Sequence, residues 1–119
     1  MTESILRTKS KQFAKEIVFV CQEIKQNKKE SNLSNQLVRS GTSIGANIYE
    51  ANYAQGKRDF ISKLEIALKE CYESEYWLEL LFETNYLCES DFLKLRGECG
   101  NIRRLLIASC KTAKENNTK

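Results

Sequence analysis

Phe60, Leu64, Ala67, Cys71, Ser74, Leu78 and Leu81 follow one another at alternating intervals of four and three residues. That period places all seven on one face of a helix, and a stripe this long needs other helices with stripes of their own to cover it. Phe92, Leu95, Cys99, Ile102, Leu106, Ser109 and Ala113 supply a second, stepping three and four. Phe13, Ile17, Val20, Cys21 and Ile24 supply a third, and Leu33, Leu37, Gly41, Ile44, Ile48 and Ala51 a fourth.

The predicted helices cover about 8–27, 32–54, 58–84 and 90–115. Ser31, Asn32 and Ser34 are available to cap the second, Ser90 caps the fourth, and Asn85 is a left-handed cap at the end of the third. Gly41 and Gly45 lie on one side of the second helix and permit either a close helix approach or a bend. Proline is absent and only five glycines are present, so almost nothing interrupts the helical pattern. Short connections make sequential helices antiparallel. The expectation is an all-α, up-down-up-down antiparallel four-helix bundle, one domain over residues 1–119.

No stretch of about 18 uncharged apolar residues occurs, which predicts no membrane span. The first residues lack the apolar segment of a secretory signal, so a cytoplasmic location is expected. Cys21, Cys71, Cys88, Cys99 and Cys110 contain no C-x-x-C pair, and their odd number fits free thiols in a reducing compartment.

The formal charge of +3 is unevenly spread. Residues 1–29 carry a net +4, residues 59–88 a net −5, and residues 89–119 a net +3. Either neighbouring helices attract one another across a solvated surface, or a basic face is kept for a polyanion while the acidic helix turns elsewhere.

Apolar surface exceeds what one stripe per helix uses. The third helix also carries Ile61, Ile66, Leu68, Tyr72, Tyr76, Trp77, Leu80 and Phe82, the second Tyr49 and Tyr53, and the first Phe19. Some of these could widen the core stripe. Tyr49, Tyr53, Tyr72, Tyr76 and Trp77 are the candidates for an interface between copies, because aromatics with one polar end are favoured where proteins meet.

Histidine is absent, which removes Ser-His-Asp and Cys-His sites, the common zinc sites and the Glu-x-x-His di-iron pattern. The stretch from Gly41 to Gly45 is no phosphate-binding P-loop. Glu70, Glu73, Glu75 and Glu79 could hold a divalent cation, but a solvated acidic face is the simpler account. No metal, cofactor or catalytic residue is expected. Arg39, Ser43, Asn47 and Glu50 share one side of the second helix, beside its apolar stripe. They read as a polar network fixing helix register or as a ligand site. Asn47 could bond across helices. Glu50 could pair with Lys57 or with Arg39 of another copy.

The segment Gln36–Ala51, QLVRSGTSIGANIYEA, resembles the pattern QLRRAAxSIPANIAEG of the bacterial four-helix proteins encoded by intervening sequences in large-subunit ribosomal RNA genes. The likeness continues through Phe60, Leu64, Ile66, Ala67, Leu68, Glu73, Glu75, Leu78, Tyr86 and Leu87. It is looser at Ile102–Leu106 and Ser109–Lys111, and it covers about residues 8–114. Gly45 stands where the pattern has proline, and Glu50-Ala51 where it has Glu-Gly. The resemblance implies an up-down bundle assembled as a homopentameric ring. It also extends to the accessory variability proteins of diversity-generating retroelements, which implies nucleic-acid binding and a reverse transcriptase as partner.

Together these readings predict a non-catalytic homo-oligomer acting through a basic surface as a nucleic-acid-binding or scaffold protein, with RNA favoured over DNA. Lys57, Arg58, Arg103, Arg104, Lys111 and Lys114 are the candidate phosphate contacts, acting without base readout. The acidic third helix is expected to face a basic helix of the adjacent copy. The competing reading is a protein-interaction module that recruits a partner through Tyr72, Tyr76 and Trp77.

Overall fold

A computed structural model describes residues 2–117, with side chains placed for 5–116. Four helices run in order: α1 (Thr2–Lys28), α2 (Asn32–Ala51), α3 (Lys57–Glu83) and α4 (Glu89–Asn117). Connections of three to five residues cannot carry the chain back along helices of this length, so each helix reverses the direction of the one before. Every helix packs on its sequence neighbours and α4 closes on α1, with no packing across either diagonal among the described residues. The result is an up-down-up-down bundle measuring 52 × 22 × 19 Å, and its α1–α4 seam is the thinnest.

The core is built from the expected stripes. Phe13, Ile17, Leu37, Ile44, Leu78, Leu81, Leu95, Ile102 and Leu106 are fully buried, each stabilising the fold by about 1.5–3 kcal/mol. Cys21, Cys71 and Cys99 join them as free thiols, and Cys110 is also buried, while Cys88 is exposed. Burial pushes the Cys21 thiol up to about 12. The Cys71 thiol is pushed up too, first by its contact with Cys99 and then by burial. Both stay protonated and unreactive at neutral pH. Phe60, Phe92, Val20 and Leu33 sit at the stripe edges and are only half-buried.

Several helix ends differ from the sequence expectation. α1 begins six residues earlier than predicted, because Leu6 and Ser10 are buried and extend its stripe by two turns. α2 ends at Ala51 rather than 54. None of the predicted serine or asparagine caps bonds the start of α2. Glu30, just before the helix, does so instead, accepting from the Leu33 and Ser34 amides at 2.8 and 2.9 Å. Burial works to raise the Glu30 carboxyl, but those amide bonds hold it below its ordinary value. α4 starts at Glu89, ahead of Ser90, with the Phe92 amide on the Cys88 carbonyl. At the end of α3, Asn85 takes the predicted left-handed conformation at φ 70°, and the Tyr86 and Asn85 amides return to the Leu81 and Phe82 carbonyls.

Gly41 and Gly45 do not break α2. A Cβ on Gly41 would lie 3.1 Å from Ile17 Cγ2, and one on Gly45 would lie 3.3 Å from Ser10 Oγ. The two glycines let α1 lie close against α2. On the opposite flank, buried Ser74 Oγ donates to buried Ser40 Oγ at 2.9 Å, joining α3 to α2 inside the core.

Candidate nucleic-acid interface

The acidic residues of α3 divide between two sides of the helix. Glu70 and Glu73 meet Arg39 of α2, with the Glu70 contact at 3.6 Å. Glu75 and Glu79, on the opposite side, meet α4. Arg103 donates to Glu75 at 2.8 Å, and Arg96 reaches Glu75 at 3.3 Å and Glu79 at 3.0 Å. Nearer the start of α3, Glu65 pairs with Lys114 at 2.6 Å, and Lys63 pairs with Glu50 at 2.9 Å. The carboxylate hydrogen bonds raise the Lys63 and Lys114 ammoniums above the usual lysine value. Most of these pairs are surface contacts, weakened by solvent screening. Glu75 differs, being only 6% exposed between two guanidiniums.

These pairs revise several expectations. α3 finds complementary charge for Glu65, Glu70, Glu73, Glu75 and Glu79 within its own chain. At the ends of the polar row of α2, Arg39 and Glu50 form ion pairs with α3. Within the chain Glu50 pairs with Lys63, not with Lys57. Between them, Ser43 Oγ donates to the Arg39 carbonyl and Asn47 Nδ2 to the Ser43 carbonyl. Both side chains thus bond their own helix, and Asn47 does not cross to another.

The six predicted phosphate contacts are not one cluster. Antiparallel topology puts Lys57, Arg58, Lys111 and Lys114 at one end of the bundle, with Arg103 and Arg104 further along α4. Arg103 is turned onto Glu75 and lies 5.5 Å over the Tyr72 ring, and Lys114 is held by Glu65. Arg104 bonds only Asn101, and Lys57, Arg58 and Lys111 are exposed with no ion pair among the described residues.

α1 contrasts with the other three helices. Arg7, Lys9, Lys11, Lys15, Lys25 and Lys28 make no ion pair among the described residues, whereas α2, α3 and α4 all contribute paired cations. Sequence reasoning passed over these α1 residues individually, although the net +4 of residues 1–29 was the signal. Arg7, Lys11 and Lys15 line one wall of a groove of about 800 Å³ between α1 and α2. Ala14, Thr42, Gly45 and Ala46 form its floor, too small to fill the space between the helices, and Tyr49 and Glu50 stand on the far wall. The Arg7 guanidinium lies 5.7 Å over the Tyr49 ring, and the Tyr49 and Tyr53 rings are 5.4 Å apart.

The predicted aromatic interface also divides. Trp77 packs against the chain's own core and donates Nε1 to Glu73 at 2.9 Å. Ile61 is buried, and Leu68 and Phe82 also lean on the core, Phe82 stacked on Phe92 at 4.4 Å. Tyr49, Tyr53, Tyr72 and Tyr76 stay more than half exposed.

On the thin α1–α4 seam, Glu16 and Glu98 approach one another. Burial first, then the Glu16 carboxylate, pushes the Glu98 carboxyl up to about 7. The same hydrogen bond from Glu98 is the main influence holding Glu16 low, assisted by Lys94 at 2.9 Å. Each also has a buried oxygen with no hydrogen-bond partner among the described residues, so the pair is better stabilised holding one proton than none. Among the described residues no three acidic or cysteine side chains converge on a metal-sized site, and no helix is long and apolar enough to cross a membrane.

Comparison with known proteins places this arrangement. The sequence profile described as 23S rRNA-intervening sequence protein matches residues 2–108. A crystal structure of a protein of unknown function from the S23 ribosomal protein family of Bacteroides thetaiotaomicron is 45% identical, with a TM-score of 0.92 over 93% of this chain and 99% of that one. No curated protein sequence matches the chain.

Proposed function

Since the chain belongs to the family of 23S rRNA-intervening sequence proteins, we propose that it is a cytoplasmic, non-catalytic, single-domain protein that assembles as a homo-oligomer, a pentamer, and binds RNA through surface cations. The observation that carries this reading is the segregation of charge. The acidic helix α3 is neutralised by α2 and α4, while the cations of α1 have no carboxylate partner among the described residues. A cationic surface not used to hold the fold together attracts polyanions. Arg104, Lys57, Arg58 and Lys111 add to it, whereas Arg103 and Lys114 are held by Glu75 and Glu65 of α3. The family's description ties it to ribosomal RNA, which favours RNA over DNA. Exposed Tyr72 and Tyr76 supply the surface for contact between copies.

Titration of the purified protein against a labelled structured RNA at 50 and 200 mM salt tests the binding. A protein neutralising six or more phosphates loses roughly a thousandfold in affinity over that range. Absence of binding at low salt overturns the reading. The exposed Tyr72 and Tyr76 favour a second account, a scaffold that recruits a protein partner. Apolar docking of that kind is nearly insensitive to salt.

A further inference from the structure

The groove between α1 and α2 has features that the nucleic-acid reading by itself does not require. Arg7, Lys11 and Lys15 are spaced four residues apart on one stripe of α1, so successive charges stand about 6 Å apart along the helix. Like charges at this spacing repel and cost helix stability, and no carboxylate among the described residues relieves them. Glu50 stands on the opposite wall but is already held by Lys63. The floor of Ala14, Gly45 and Ala46 keeps the channel open along the row of cations. At the end near Arg7, Tyr49 and Tyr53 form an exposed aromatic pair.

We propose that this groove is a track for single-stranded RNA, in which Arg7, Lys11 and Lys15 take successive phosphates and the Tyr49–Tyr53 pair stacks an unpaired base. The proposal rests on the RNA-binding reading above and assigns it a site and a strand state. Charge spacing along one helix matches the step between phosphates of an extended strand. A ring at the end of a cationic track is how proteins hold single strands without reading their sequence. A stiff duplex offers no unstacked base to the tyrosines. Its width also exceeds a channel bounded by two adjacent helices.

The test is fluorescence anisotropy at 50 mM salt with a labelled 12-nucleotide oligouridine, a hairpin RNA of equal length and the corresponding oligodeoxythymidine. Lys11→Glu/Lys15→Glu should abolish oligouridine binding. Lys11→Ala/Lys15→Ala should lower the magnitude of the salt slope by about 1.4, from roughly 0.7 for each phosphate deprived of its cation. Tyr49→Ala should weaken oligouridine about tenfold and leave the hairpin unchanged. Circular dichroism checks that the variants fold. Wild-type binding that survives the α1 reversal but is lost in Arg104→Glu/Lys111→Glu overturns the groove while leaving the RNA reading intact. Hairpin binding as tight as oligouridine, with Tyr49→Ala silent, overturns the single-strand assignment. Equal binding of oligodeoxythymidine overturns the preference for RNA. Failure of the wild type to bind any of the three overturns the broader reading as well.

Discussion

α3 and α1 occupy opposite corners of the bundle and use charge in opposite ways. α3 meets cations from both neighbours, at Arg39, Arg96, Arg103 and Lys114. α1 keeps its six described cations free of carboxylates, and its one charged seam contact brings two carboxylates together beside Lys94. The two helices bury comparable apolar stripes, so the contrast lies in their surfaces. A chain with net charge +3 thus divides into a half that is electrostatically closed and a half that is open to an anion.

The largest effect is expected at the closed half. Glu75→Ala leaves Arg96 and Arg103 without their shared, buried carboxylate. It should cost about 2–3 kcal/mol, below the full cost of a broken buried pair because both arginines keep some water. A urea midpoint unchanged from wild type would show that the α3–α4 pairs do not hold the bundle.

α1 is held by apolar packing, so a steric lesion should affect it where charge changes do not. Gly41→Val adds side-chain atoms where a Cβ alone already approaches Ile17 to 3.1 Å, with an expected loss of about 2 kcal/mol. If the variant matches wild type in a urea titration, the close α1–α2 approach is not needed for stability.

The Glu16–Glu98 pair sets the next effect. A carboxyl raised to about 7 in the fold, against an ordinary 4.5, binds its proton more tightly when folded. Its contribution is therefore fully present below pH 4.5 and is lost as pH rises through 7. The lowered carboxyl of Glu16 acts oppositely, but only below its ordinary value of 4.5, outside this window. Lys94, whose ammonium Glu16 holds above the ordinary lysine value, stays charged throughout. Thermal melts should show Tm falling from pH 5 to pH 8, and Glu98→Gln should flatten that slope and raise Tm at pH 8 by a few degrees. A wild-type profile that rises over the same range contradicts the shared proton.

The smallest effect belongs to the open half. Lys11→Ala/Lys15→Ala should leave the urea midpoint unchanged, or slightly raised by relief of like-charge repulsion, while weakening RNA binding. A loss of stability equal to that of Glu75→Ala would remove the distinction between the two helices.

The apolar stripes were legible because their period alone determines which side chains a helix can bury together. Asn85 was legible for a local reason, its tolerance of positive φ. Lys29, at φ 57° after α1, carries no such cue, and the Glu30 cap of α2 was hidden because serines stood nearer the expected position. The site was legible only as a regional charge. Arg103 and Lys114 look like free cations in sequence, but Glu75 and Glu65, 28 and 49 positions away, come beside them only after folding. Trp77, read from sequence as an interface residue, also leans on the core, a contact its spacing does not announce.

Helix number, the bundle class and the identity of the core follow from the sequence alone, since they depend on spacing within each helix and on burial of apolar surface. Which charges cancel, which aromatics stay exposed and where a groove opens were decided by the tertiary structure. Those properties depend on distances between helices, and a Coulomb or packing contact has no fixed separation along the chain.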